Sequence, residues 1–122
     1  MQRDIIYDID GDPVLRLLNN GRFVTFDGES IGFLVGDNVY DYNGYHRGWF
    51  VGGTLRDHFG DCVGFGINVG NIAHPLFPLR KLPPLPSLVE LEPLRPFTSL
   101  PPLKPLFSMS WSESNPISLF KE

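Results

Sequence analysis

Tyr40-Asp41-Tyr42-Asn43-Gly44, followed after three residues by Gly48-Trp49-Phe50, returns sixteen residues later as Arg56-Asp57-His58-Phe59-Gly60 with Gly64-Phe65. The same line can be traced upstream as Val24-Thr25-Phe26-Asp27-Gly28 with Gly32-Phe33, and as Tyr7-Asp8-Ile9-Asp10-Gly11 with Leu15-Arg16. The turn glycines therefore step by 17, 16 and 16 residues. Self-similarity at a fixed period decides an architecture before local propensity does. Each copy carries an Asp-x-x-Gly or similar signal, which suits a tight hairpin loop with glycine at positive φ. A second turn cluster follows at Asn20-Gly21, Gly36-Asp37-Asn38 or Gly52-Gly53. The runs between turns are short and rich in Val, Ile, Tyr, Phe and Trp, so an all-β antiparallel meander of four hairpins is expected, about eight strands in all, with no room for a sizeable helix.

Glycine inside a strand costs entropy and packs nothing, so Gly32, Gly48 and Gly64 predict close backbone approach. Equivalent positions of a repeat meet around an axis, which places these glycines where hairpins crowd together, with Phe33, Trp49 and Phe65 packed nearby.

The composition changes near residues 71–74. All 13 glycines lie between Gly11 and Gly70, and 11 of the 12 prolines lie between Pro75 and Pro116. Residues 1–70 carry ten acids against five arginines, whereas residues 71–122 carry four acids against five bases. Two segments are therefore expected, a hairpin-repeat domain over 1–70 and an extended Pro/Leu-rich tail over 71–122. In the tail an apolar side chain recurs every third residue without a gap: Leu76, Leu79, Leu82, Leu85, Leu88, Leu91, Leu94, Phe97, Leu100, Leu103 and Leu106. Proline at this density forbids an α-helix and a central strand but suits polyproline II, whose three residues per turn put the whole stripe on one face.

Fully extended, residues 76–108 would span roughly 100 Å. A disordered linker is poor in large apolar residues, and this one is not. An apolar stripe of that length calls for burial against copies of itself, its own body or a partner. Closed symmetric homo-oligomers are the common solution, which favours tails gathered into a stalk or core with the β domains displayed outside.

The body resembles the four-fold beta flower proteins, small and mostly bacterial, whose chains repeat lines of the type Tyr-Asp-x-x-Gly-x-x-x-Gly-Trp. Tyr40-Asp41 to Gly44 with Gly48-Trp49-Phe50, and Arg56-Asp57 to Gly60 with Gly64-Phe65, carry the likeness. It covers residues 4 to 66 and extends to a Leu/Pro-rich tail ending in Ser110-Trp111-Ser112. The resemblance implies four β-hairpins with pseudo-four-fold symmetry and no particular activity. Thr25 stands where the pattern has its turn aspartate, and the first copy lacks the second glycine.

Asp8, Asp41 and Asp57 share one repeat position. A ring of carboxylates suits a cation or basic partner, but the plainer reading is that each opens a turn and accepts backbone N–H groups from the residues that follow. Asp8-Ile9-Asp10-Gly11-Asp12 has the look of a calcium loop until Pro13 and Arg16-Leu17-Leu18 take the places of its later ligands. His46, His58 and His74 have no metal-ligand spacing. Cys62 lies near His58 in sequence, yet no oxyanion hole or orienting group accompanies the pair. No metal, cofactor or catalytic residue is expected.

The formal charge of −4 argues against a nucleic-acid partner held by phosphates. One cysteine allows no internal disulfide, and neither a secretory signal nor a membrane-spanning run is evident, so a cytoplasmic location is expected. Arg80-Lys81-Leu82-Pro83-Pro84-Leu85-Pro86 matches the basic-plus-Pro-x-x-Pro segments that polyproline-reading grooves bind. Asn115-Pro116-Ile117-Ser118-Leu119-Phe120 adds a last apolar patch suited to a latch onto a neighbouring chain or to a peptide for a different partner. These features favour a non-enzymatic self-assembly protein whose stripe, with Trp111, forms the homo-oligomer contact. The alternative is an adaptor whose tail docks a separate protein. A ligand binder using the Asp ring with Tyr40, Tyr42 and Trp49 is a third reading.

Overall fold

The computed structural model describes residues 2–121. Eight strands follow the repeat: β1 (Gln2–Tyr7), β2 (Pro13–Leu18), β3 (Arg22–Thr25), β4 (Ser30–Val35), β5 (Asn38–Tyr40), β6 (His46–Val51), β7 (Thr54–Arg56) and β8 (Cys62–Phe65). Each pairs antiparallel with the next, and Tyr7 of β1 pairs with Phe65 of β8, so the meander closes into a barrel. The four hairpins thus stand around one axis. Closure removes the unpaired edges that an open sheet would offer to other chains.

The repeat is visible in the register. The strand pairing of each hairpin is interrupted at an equivalent place, between Ile6 and Tyr7, Phe23 and Val24, Val39 and Tyr40, and Leu55 and Arg56. A bulge bends its strand and raises its twist, which is what strands of three to six residues need to curl into a small barrel. Before the interruption, Ile6, Phe23, Val39 and Leu55 supply one core side chain per repeat, joined by Leu17, Leu34 and Phe50.

The Asp-x-x-Gly turns share one end of the barrel. Asp8 Oδ1 accepts the Asp10 and Asp12 N–H groups at 3.0 and 2.9 Å. Asp41 Oδ1 accepts those of Asn43 and Tyr45 at 2.8 and 3.1 Å, and Asp57 Oδ1 those of Phe59 and Asp61 at 2.9 and 3.0 Å. Thr25 fills the place in the second repeat, where its hydroxyl accepts the Glu29 N–H at 3.2 Å.

Gly32, Gly48 and Gly64 lie at the seams between hairpins. A Cβ would sit 2.5 Å from the Tyr40 carbonyl oxygen at Gly32, 1.9 Å from that of Arg56 at Gly48 and 2.8 Å from that of Tyr7 at Gly64. Each acceptor is the next repeat's residue before its turn, and the third contact closes the circle back to the first hairpin. The first repeat carries Leu15, fully buried in the core, at the corresponding place. Gly32 and Gly64 also make room for a plug, since Phe120 lies against the former and Pro116 against the latter. Leu119 and Phe120, in a short 3-10 helix (Ser118–Phe120), join the barrel core, with the Phe120 and Phe23 rings 5.5 Å apart. The last apolar patch is therefore a latch onto its own barrel.

From Phe65 to the plug the chain forms no strand, only an isolated parallel bridge between Cys62 and Trp111. The Leu/Pro ribbon does not project as a stalk. It runs around the outside of the barrel, visiting the four turns in order: Lys81 N–H donates to the Gly11 carbonyl at 2.9 Å, Glu90 to Gly28 at 3.0 Å, Ser99 to Gly44 at 2.9 Å and Ser108 to Gly60 at 3.0 Å. The donors are spaced nine residues apart, one to each quarter of the circuit. The leucines point outward, and the ribbon holds its own body at these four turns.

Candidate functional site

The candidate site is this belt. At each station the ribbon offers the barrel a carbonyl and an N–H two residues apart. A Cβ on Gly11, Gly28, Gly44 or Gly60 would stand 2.0 to 2.3 Å from the oxygen of Leu79, Leu88, Phe97 or Leu106. All four glycines have φ between +81 and +92°. Only glycine meets both demands, the left-handed backbone and the close passage of a second chain segment.

The charged side chains of the belt are turned onto the barrel. Arg80 donates two hydrogen bonds to the Gly66 carbonyl and lies 4.9 Å from the Phe65 ring centre. Lys81 pairs with Asp12 at 2.9 Å and Lys104 with Asp37 at 3.5 Å. Glu90 accepts the Ser30 N–H at 2.9 Å. Glu92 accepts from the Tyr42 hydroxyl and from Arg95, both at 2.7 Å, while Arg95 covers the Phe33 ring at 5.0 Å and donates to the Asn20 carbonyl at 2.8 Å. Burial opposes ionisation of Glu92, but the Arg95 and Tyr42 hydrogen bonds hold its carboxyl below the usual range. Burial and the same carboxylate push the Tyr42 hydroxyl far up.

With the polar groups facing inward, the outward row is apolar. Leu76, Leu79, Leu82, Leu85, Leu88, Leu91, Leu94, Phe97, Leu100, Leu103 and Leu106 are each 91 to 103% exposed. The structure leaves these eleven side chains pointing outward around the barrel and sets Trp111 apart. Its ring is half-buried, packed edge-on to Phe65 and Phe77 at 6.2 and 5.8 Å.

Arg56 is the residue that sequence reading passed over. It stands where Tyr7 and Tyr40 stand in their repeats, and that break in the pattern was the available signal. Fully buried, its guanidinium donates to Thr54 Oγ1 at 3.0 Å, to the Gly60 carbonyl at 3.1 Å, to the Ser108 carbonyl at 2.7 Å and to the Ala73 carbonyl. It clasps the segment entering the belt and the segment leaving it.

The groups weighed for catalysis or metal binding are engaged elsewhere. His46 is buried and its Nδ1 lies 2.9 Å from Nε2 of His58, with Nε2 3.0 Å from Asn38 Oδ1. Burial, with the neighbouring His58, lowers the His46 pKa to about 4. Cys62 is buried, its Sγ directed at the Gly64 carbonyl at 3.4 Å, and burial raises the thiol to about 11, opposite to what a nucleophile needs. His74 stacks on Phe77 with ring centres 4.4 Å apart. Asp8, Asp10 and Asp12 bring carboxylate oxygens within 4.8 Å of one another, but Asp8 caps its turn and Asp12 is paired with Lys81. The open clefts gather at the turn end of the barrel beside the plug, one lined by Asp57, Phe59, Asp61, Trp111 and residues 112–114.

A closed barrel of four hairpin repeats girdled by its own C-terminal ribbon defines a four-fold hairpin repeat protein. The family model of the 4-fold beta flower protein matches residues 4–120, and the chain belongs to that family. No curated protein and no solved structure matches the chain. Among the described residues no helix is long and apolar enough to cross a membrane.

Proposed function

We propose that the protein is a non-enzymatic structural module that self-associates through its leucine belt and displays the barrel. The observation that supports this is the sorting of the ribbon: the charged groups between Leu79 and Leu106 face the barrel, and the apolar row between them is exposed. Burying the eleven side chains would release roughly 15–30 kcal/mol at the usual value per large apolar side chain, far more than lone surface leucines leave unrealised. The His, Cys and Asp groups serve the fold, which is the ground for reading the protein as non-catalytic.

Light scattering tests the reading. The full chain should form an assembly, and the triple substitution Leu82→Gln, Leu91→Gln, Leu100→Gln should return it to a monomer with an unchanged melting temperature, since these side chains touch nothing in the monomer. A monomeric wild-type chain at tens of micromolar would refute it. That result would favour the adaptor reading, which draws on the exposed run Leu82-Pro83-Pro84-Leu85-Pro86. Against that reading, the basic residues beside the run, Arg80 and Lys81, are already spent on Gly66 and Asp12.

A further inference from the structure

The belt closes on itself. Phe77, ahead of the first station, stacks on Phe65 with ring centres 4.1 Å apart, and Trp111, beyond the last, packs edge-on to both rings. Arg56 donates to the Ala73 and Ser108 carbonyls and so joins the same two ends. The ribbon that leaves the barrel after Phe65 has therefore passed all four turns when it returns there. Its stations cut the apolar row into near-equal shares. With the donors at Lys81, Glu90, Ser99 and Ser108, three members of the row fall between each successive pair, and Leu76 and Leu79 precede the first. All of them are exposed. No side of the barrel is bare of leucine, and none stands out as richer than the rest.

This distribution constrains what covers the row. An isologous dimer joins one patch of a copy to the same patch of its partner. The side chains point outward around the barrel, so a copy approaching from one direction meets one quarter of the belt and leaves the other quarters in water. One quarter is also a small contact, because three large apolar side chains fall well short of the roughly 20–30 residues a side of a standard interface. Several such contacts made at once hold a copy far more firmly than one. Lipid is a poorer match. An element that lies in a membrane interface carries Lys and Arg beside its apolar face, whereas Arg80, Lys81, Arg95 and Lys104 are bound to the barrel and the chain has a formal charge of −4.

We infer that each quarter of the belt is a separate docking edge for the belt of another copy, so that one copy holds up to four neighbours and the assembly is open, growing in the plane of the belts without closing as a dimer. The inference rests on the self-association proposed above and specifies its valence. Association then depends on how the leucines are shared among the quarters as well as on how many there are.

Two triple variants of the full chain remove the same number of leucines in different patterns. Leu82→Gln with Leu91→Gln and Leu100→Gln takes one side chain from each of three quarters, whereas Leu82→Gln with Leu85→Gln and Leu88→Gln takes all three from one. Sedimentation equilibrium gives the mass across a concentration series, and an unchanged melting temperature certifies that both variants are folded. The wild-type mass should rise past that of a dimer without levelling. The clustered variant should still assemble beyond a dimer through its remaining quarters, and the dispersed variant should be a monomer at the same concentration. A wild-type mass that levels at a dimer, or a monomeric clustered variant, would confine the contact to one side and overturn the open assembly while leaving self-association standing. A wild-type chain that is monomeric at every concentration would overturn both, and its flotation with phosphatidylcholine vesicles would assign the belt to lipid.

Discussion

At the scale of single residues, glycine position carries much of the fold. Gly44 and Gly36 both have positive φ, +87° and +60°, but a Cβ on Gly44 would meet the Phe97 carbonyl oxygen at 2.3 Å whereas one on Gly36 meets nothing within 4 Å. Gly36→Ala should therefore cost about 1 kcal/mol, the strain of left-handed backbone alone. Gly44→Ala should cost about 3 kcal/mol, because strain is joined by loss of a station. Denaturant unfolding gives both values, and hydrogen exchange should show the Ser99 N–H deprotected only in the second variant.

His46 makes a pH prediction at the same scale. Its folded pKa lies near 4 and the ordinary value is 6.5. The unfolded chain therefore takes up the proton first, so the contribution to stability is whole above about pH 6.5 and is lost as pH falls toward 4. The free energy of unfolding should decline across that window, and His46→Gln should flatten the decline. An equal slope in the variant would assign the loss to other groups. The Asp turns were legible from their spacing because an aspartate capping the N–H groups two and four residues ahead is local chemistry. The His46–His58 contact was not, because it joins side chains of two neighbouring hairpins.

At the scale of elements, the strands could be read from turn signals and β-rich runs, and the hairpins stand where the sixteen-residue period placed them. The terminal plug could not be placed by such reasoning. An apolar patch at a chain end fits a partner as well as its own barrel, and only the room left beside Gly32 and Gly64 distinguishes the two. Phe120 fills that room against Phe23, so Phe120→Ala should cost about 3–5 kcal/mol, the usual range for emptying a core aromatic. It should also admit a hydrophobic dye into the barrel end. Unchanged stability and no dye binding would mean that the plug is ornamental.

At the scale of the whole molecule, the belt shows where local reading stops. The period of three in the leucines is plain, and it hides a period of nine in Lys81, Glu90, Ser99 and Ser108 that acquires meaning only when four turns stand around a circle. The stalk expectation followed from the length of the stripe and the commonness of closed homo-oligomers, and it overlooked that a ribbon can run around a body as well as away from it. By itself the sequence determined what neighbouring residues decide: eight short strands, capped turns and glycines at the crowded seams. The tertiary structure alone decided that Tyr7 meets Phe65 to close the barrel, that the ribbon circles it, and that the leucines face outward. Those outcomes depend on contacts between residues some fifty to seventy positions apart, where loop closure and the fit of surfaces, and not local backbone preference, set the result.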